Sequence, residues 1–190
     1  QHEAHADFFA SEVAVGRPED VSVMVYTSGT TGKPKGVCLT HAALIAAARG
    51  GVEFDRLTAD EDVLSYLPMA WIGDHLFSYC EWQMAGFTIN CPESGDTVMT
   101  DLREIGPTFY FAPPRVFENL LTQVMIRMED AGKLKRAAFH YVMEVARRCG
   151  AEILDGKPGI RLGDRLLYAL GNILIYGPLR NVLGMSRIRV

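Results

Sequence analysis

Apolar positions fall in short runs over the first half of the chain and in helical stripes over the second. Val21, Val23, Met24 and Val25 form a β-branched run of the kind that makes a buried strand, and Val37, Cys38 and Leu39 read as a strand returning beside it. Thr40 is placed to cap a helix through Ala42, Leu44, Ile45 and Ala48, with Gly50-Gly51 as its stop. Val63–Leu67 reads as a strand closed by Pro68. Ile72, Leu76, Tyr79 and Gln83 give Ile72–Met84 helical spacing, ended by Gly86. Phe87–Cys91 and Thr108–Ala112 read as two further strands. Val116, Phe117, Leu120, Leu121, Val124, Met125 and Met128 recur at helical spacing until Gly132, and Leu134, Ala138, Tyr141, Val142 and Val145 mark another helix up to Gly150. Strands alternating with helices predict an α/β fold, with a mainly parallel sheet covered by helices on both faces. No repeat, low-complexity tract or linker divides the chain.

The chemistry is concentrated between the first two strands. Residues 26–37 read Tyr-Thr-Ser-Gly-Thr-Thr-Gly-Lys-Pro-Lys-Gly-Val. Glycines at Gly29, Gly32 and Gly36 let the backbone curl and approach a ligand with no Cβ in the way. Hydroxyls at Thr27, Ser28, Thr30 and Thr31, successive backbone N–H groups, and the charges of Lys33 and Lys35 together suit a polyphosphate. The segment is not a Walker A loop. Gly32-Lys33 is followed by Pro34, which removes an N–H and fixes φ, so the chain must turn back as an extended or hairpin segment instead of opening a helix. A plain surface turn would account for a few of these residues, but not for all of them in one compact order after a strand.

Composition narrows the partners. The chain has 190 residues, 48% of them hydrophobic, and a net charge of −4, which fits a soluble globular domain and gives no support to nucleic-acid binding. Cys38, Cys80, Cys91 and Cys149 are scattered without metal-type pairing, which predicts reduced thiols and a cytoplasmic setting. Gln1–His5 has neither the basic nor the apolar part of a signal peptide. Between Arg165 and Leu183 an apolar cluster is interrupted by Gly171, Asn172, Gly177 and Pro178, short of the about 20 apolar residues a spanning helix needs. Packing against the rest of a domain accounts for it, with peripheral membrane contact as the alternative. The chain begins at Gln1 and stops at Ile188-Arg189-Val190, where a strand is starting, so residues 1–190 are expected to be one domain truncated at both ends.

Residues 27–37 closely resemble the phosphate-loop signature of the adenylate-forming superfamily: acyl-CoA synthetases, luciferases and the adenylation domains of peptide synthetases. The resemblance implies that Thr27, Ser28, Gly29, Thr30, Thr31, Gly32, Lys33, Lys35 and Gly36 hold the outer phosphates of ATP, with Mg2+ on those phosphates. It implies further that the chain is part of the large N-terminal domain of an enzyme joining a carboxylic acid to coenzyme A through an acyl-adenylate. Two other segments extend the likeness, toward long-chain fatty acyl-CoA synthetases. Tyr66–Asp74 resembles a Leu-Pro segment of that branch, with Trp71 where histidine is usual, as a candidate lining for the substrate pocket. His75 nearby reads as a substitute donor or, more simply, a surface histidine. Phe109–Glu118 resembles a Pro-Arg-Val segment in which Arg115 and Glu118 would pair across a first helical turn. The resemblance assigns no catalytic residue within these positions and leaves any metal ligand unknown. It puts the ribose contact and the adenylating lysine in segments this chain lacks, so the chain alone is expected to be inactive. Other acid substrates (aryl, amino or short-chain) and a non-catalytic nucleotide- or lipid-binding module on the same fold are the alternatives. A P-loop kinase is disfavoured by Pro34.

Overall fold

The computed structural model describes residues 7–29 and 32–190. A short helix the hydrophobic pattern did not mark, α1 (Phe8–Val15), precedes the first strand; it has no buried residue and therefore no one-sided stripe to read. β1 (Val21–Thr27) and β2 (Lys35–Thr40) pair antiparallel, from Val21 opposite Thr40 to Thr27 opposite Lys35, with one irregularity between Val21 and Val23. α2 (His41–Asp55) follows directly. Its start is built as expected: Thr40 is extended, and its hydroxyl accepts the Ala43 N–H at 3.2 Å. The N–H groups of His41 and Ala42 reach back to the carbonyls of Asp20 and Pro18, so the entry to the helix is tied to the entry to β1.

Gly50 and Gly51 do not stop this helix. It continues to Asp55 and ends at Arg56, in the left-handed region at φ 52°. Gly51 serves close approach instead: a Cβ there would overlap Glu81 Oε1. Glu81 opens α3 (Glu81–Ala85), after a π-helical segment Asp74–Cys80, and Gly86 caps α3 in the left-handed region. Leu44, Ala48 and Cys80 form the buried centre of this unit, with Val23, Leu39 and Leu76 packed on it. β3 (Asp62–Leu64) and β4 (Thr88–Asn90) pair parallel.

The α/β character is therefore observed, but the described strands do not form the mainly parallel sheet expected. They make one antiparallel hairpin and one parallel pair. The cause is local: a short turn between β1 and β2 brings the chain straight back, and only the helical crossover from β3 to β4 permits parallel pairing.

Contacts divide the chain into two units, one ending at Pro92 and the other spanning Glu93–Val190. The second is helical: α4 (Val98–Ile105), α5 (Pro114–Glu129) and α6 (Lys133–Val145) lead into a π-helical turn Ala146–Gly150 and α7 (Ala151–Leu154). α8 (Leu162–Gly171), a second π-helical turn Asn172–Tyr176, and α9 (Gly177–Val182) complete it. Leu102, Leu120, Val124, Phe139, Val145 and Cys149 are buried among these helices. Pro114 sits in the first turn of α5, where its missing N–H costs nothing.

Two expectations for this unit need correction. Thr108–Ala112 is an extended segment with a single bridge residue, Phe109, and not a full strand; its backbone meets the chain end, where Arg189 N–H donates to Thr108 O at 2.7 Å and Tyr110 N–H to Val190 O at 3.0 Å. Arg115 and Glu118 form no ion pair. Both stay exposed, where a surface pair gains too little to fix two long side chains. Across Gly171, Asn172, Gly177 and Pro178 the helical path runs on as α8, the π-turn and α9 in succession, and Gly171 gives room to Val142 and the Tyr176 ring, which a Cβ there would crowd at 2.7 and 3.0 Å. Among the described residues no helix is long and apolar enough to cross a membrane.

Candidate functional site

The β1–β2 hairpin presents the polar turn that the sequence singles out. Its base is fixed by the ladder, so Thr27 and Lys35 stand opposite each other at the mouth of the turn. Gly29 and Gly32 both take left-handed φ, 65° and 79°, a conformation that other residues enter only with strain. At Gly29 the need is also spatial. A Cβ there would overlap the Lys33 carbonyl and lie 3.8 Å from Lys35 Cγ, so the loop folds back over its own glycine and the Lys35 stem runs beside it. Gly32 faces open space, and its N–H donates to Gly29 O at 3.4 Å. That N–H is spent closing the turn.

Gly36 has a packing role: a Cβ on it would lie 3.0 Å from Met24 Sδ and 3.5 Å from the Tyr26 ring. Thr27, Ser28, Lys33 and Lys35 are exposed. Thr30 and Thr31, also expected to bear donors, lie outside the described residues. No aspartate or glutamate occurs between Val21 and Thr40, so no carboxylate of the hairpin itself offsets its two lysines. The turn can hold a multiply charged anion by charge and hydroxyl donation. Among the described residues no group of three His, Cys, Asp or Glu side chains could hold a metal ion.

Trp71 is half exposed, in a turn closed by its own N–H on Pro68 O at 2.8 Å, and its carbonyl accepts from Asp74 N–H at 3.1 Å. A cavity of about 510 Å3 in the same unit is lined by Val23, His41, Leu44, Met69, His75 and Tyr79, among others, but not by Trp71. The turn is held by a residue the sequence reading did not single out. Asp74 is buried and accepts from Ser65 Oγ at 3.0 Å, joining the end of β3 to the start of the π-helical segment Asp74–Cys80. Its signal was weak, a lone acid amid apolar spacing.

A family model described as AMP-binding enzyme matches residues 2–176. The chain belongs to the AMP-binding enzyme family. Its similarity to individual members is moderate. It is 31% identical over 191 residues to a Mycobacterium tuberculosis protein named as a fatty-acid–CoA ligase, fadD11, covering 98% of this chain and 33% of that one. It is 31% identical over 157 residues to the Arabidopsis thaliana long chain acyl-CoA synthetase 6, peroxisomal, covering 80% of this chain and 21% of that one. The chain thus spans a third or less of the length of these relatives. In fold it resembles the solved structure of McyG A-PCP complexed with phenylalanyl-adenylate, with a TM-score of 0.53 and 22% identity over 62% of this chain and 19% of that one.

Proposed function

We propose that this chain is the phosphate-gripping part of an AMP-forming acid–CoA ligase acting on long-chain fatty acids. The observation that carries the reading is the hairpin: Thr27 faces Lys35 across its mouth, and left-handed glycines at Gly29 and Gly32 shape the turn between them. Relatives named for fatty-acid and long-chain acyl-CoA ligation support the substrate class.

In this reading the hydroxyls of Thr27, Ser28, Thr30 and Thr31 and the ammonium groups of Lys33 and Lys35 bind the β- and γ-phosphates of ATP. An oxygen of the fatty-acid carboxylate attacks the α-phosphorus, the bond to the β-phosphate oxygen breaks, and pyrophosphate leaves with its charge held by the hairpin. The thiol of coenzyme A then attacks the acyl carbon, and AMP leaves. Mg2+, when bound, neutralises phosphate charge. The chain's own contribution is positioning and charge stabilisation and not a covalent nucleophile. Catalysis needs groups beyond this stretch, so residues 1–190 work as one wall of a larger site. The setting is cytoplasmic, with the acyl substrate drawn from solution or from a membrane surface.

The test is ATP–pyrophosphate exchange by the full-length protein against a panel of acids. Exchange should be fastest with fatty acids of long chain. Exchange only with amino or aryl acids would overturn the substrate class, and ADP release without exchange would overturn adenylation itself.

A further inference from the structure

A second cavity, in the unit spanning Glu93–Val190, serves none of the chemistry above. It measures about 350 Å3 and is lined by α4, α5, α6, the second π-turn and α9. That volume lies within the roughly 300–1,000 Å3 typical of small-molecule sites. Val124 and Phe139, both buried, share the apolar part of the lining with Leu179 and Val182. Three cations, Arg103, Arg127 and Lys135, complete it, and no carboxylate lines it. These cations come from three different helices and are exposed. None of them forms an ion pair among the described residues, although their neighbours do: Arg136 pairs with Glu129 at 3.0 Å, and Arg148 with Asp164.

Three cations line this hollow and no carboxylate does. Its apolar wall favours a ligand that removes it from water, and its charged rim favours one that carries a negative charge. We propose that this cavity binds a single-chain amphiphile with an anionic head, its chain against Val124, Phe139, Leu179 and Val182 and its head at Arg103, Arg127 and Lys135. Guanidinium groups suit both carboxylate and phosphate, because their fixed N–H fork matches either oxygen pair. The head can therefore belong to a free long-chain carboxylate or to a phosphate-bearing acyl ester. This site is independent of the adenylation reading.

The test uses the full-length protein and a diazirine-bearing fatty acid below its micelle concentration, with cross-linked peptides identified by mass spectrometry. Cross-links are expected in the peptides holding Val124, Phe139 and Leu179–Val182. Palmitate and palmitoyl-CoA should compete, and whichever competes better identifies the head. Palmityl alcohol, with the same chain and no charge, should compete at least about tenfold more weakly. The triple variant Arg103→Ala, Arg127→Ala, Lys135→Ala should bind the probe at least about tenfold more weakly. Lys35→Ala should leave labelling unchanged, which separates this site from the hairpin. Labelling only at other peptides, equal competition by the alcohol at these peptides, or full affinity there in a folded triple variant would overturn the proposal. The alcohol comparison is made on the unaltered chain, so it stands even if the triple variant fails to fold.

Discussion

Replacing Lys35 with alanine should cut ATP–pyrophosphate exchange by the full-length enzyme roughly tenfold to hundredfold, with little change in fatty-acid binding. A charge-assisted contact to phosphate is worth about 1.5–3 kcal/mol, and each 1.4 kcal/mol is a factor of about ten. The ladder gives the reason for choosing Lys35. It stands in register with Thr27 and its stem runs beside Gly29, so its ammonium group starts from a defined place. Lys33 lies within the turn, outside the ladder, and its loss should cost less. Lys35→Arg keeps the charge and should recover part of the rate. A Lys35→Ala enzyme with unchanged turnover and Michaelis constant for ATP would remove this residue from the phosphate site.

Stability should fall by about 3 kcal/mol as pH rises from about 4.5 to above 7, because of one carboxyl group. Glu81 is fully buried against Gly51, and neither of its oxygens has a hydrogen-bond partner. Burial, with a smaller contribution from the charge of Asp55, pushes its pKa from 4.5 to about 7. Cys80 beside it is pushed up as well, by burial and then by the charge of Glu81.

The direction follows from proton counts. Between the unfolded and folded pKa values the folded chain holds a proton that the unfolded chain has released. Raising the pH through that window therefore favours unfolding, and above it the penalty is constant. Glu81→Gln should flatten the dependence between pH 5 and 8, and at pH 8 it should stabilise the chain by roughly 1–3 kcal/mol. Urea denaturation at several pH values measures both. A wild-type midpoint that rises across this window would show that Glu81 stays ionised and finds a partner.

The hairpin was legible in the sequence because its signals are local. Glycine and proline act on their own backbone, so Gly29, Gly32 and Pro34 announce a tight return whatever surrounds them. Thr40 announces a helix start in the same way, and Pro114 and Gly132 bracket α5. The misreadings share the opposite property. Gly51 looked like a stop and Gly171 like a plain interruption of an apolar cluster, yet each makes room for a side chain far along the chain, Glu81 in one case and Val142 in the other. Nothing near them in sequence marks that contact.

The make-up of the sheet was less legible. Alternating strands and helices suit a parallel sheet, but among the described strands only β3 and β4 pair parallel, beside the β1–β2 return that the turn residues announced. Within the site, the residue types were readable and their division of labour was not. Only the structure shows that the Gly32 N–H closes the turn, that Gly36 yields space to Met24 and Tyr26, and that the cavity in the first unit is lined by His75 and not by Trp71.

The central claim is that the turn between Thr27 and Gly36 grips the outer phosphates of a nucleotide. Amide chemical shifts of the 15N-labelled chain, titrated in turn with ATP, pyrophosphate, AMP and adenosine, test it most directly. The account predicts that ATP and pyrophosphate shift the amides of residues 27–36, while AMP does so weakly and adenosine not at all. Shifts of equal size with AMP, or shifts that leave these residues untouched, would contradict it.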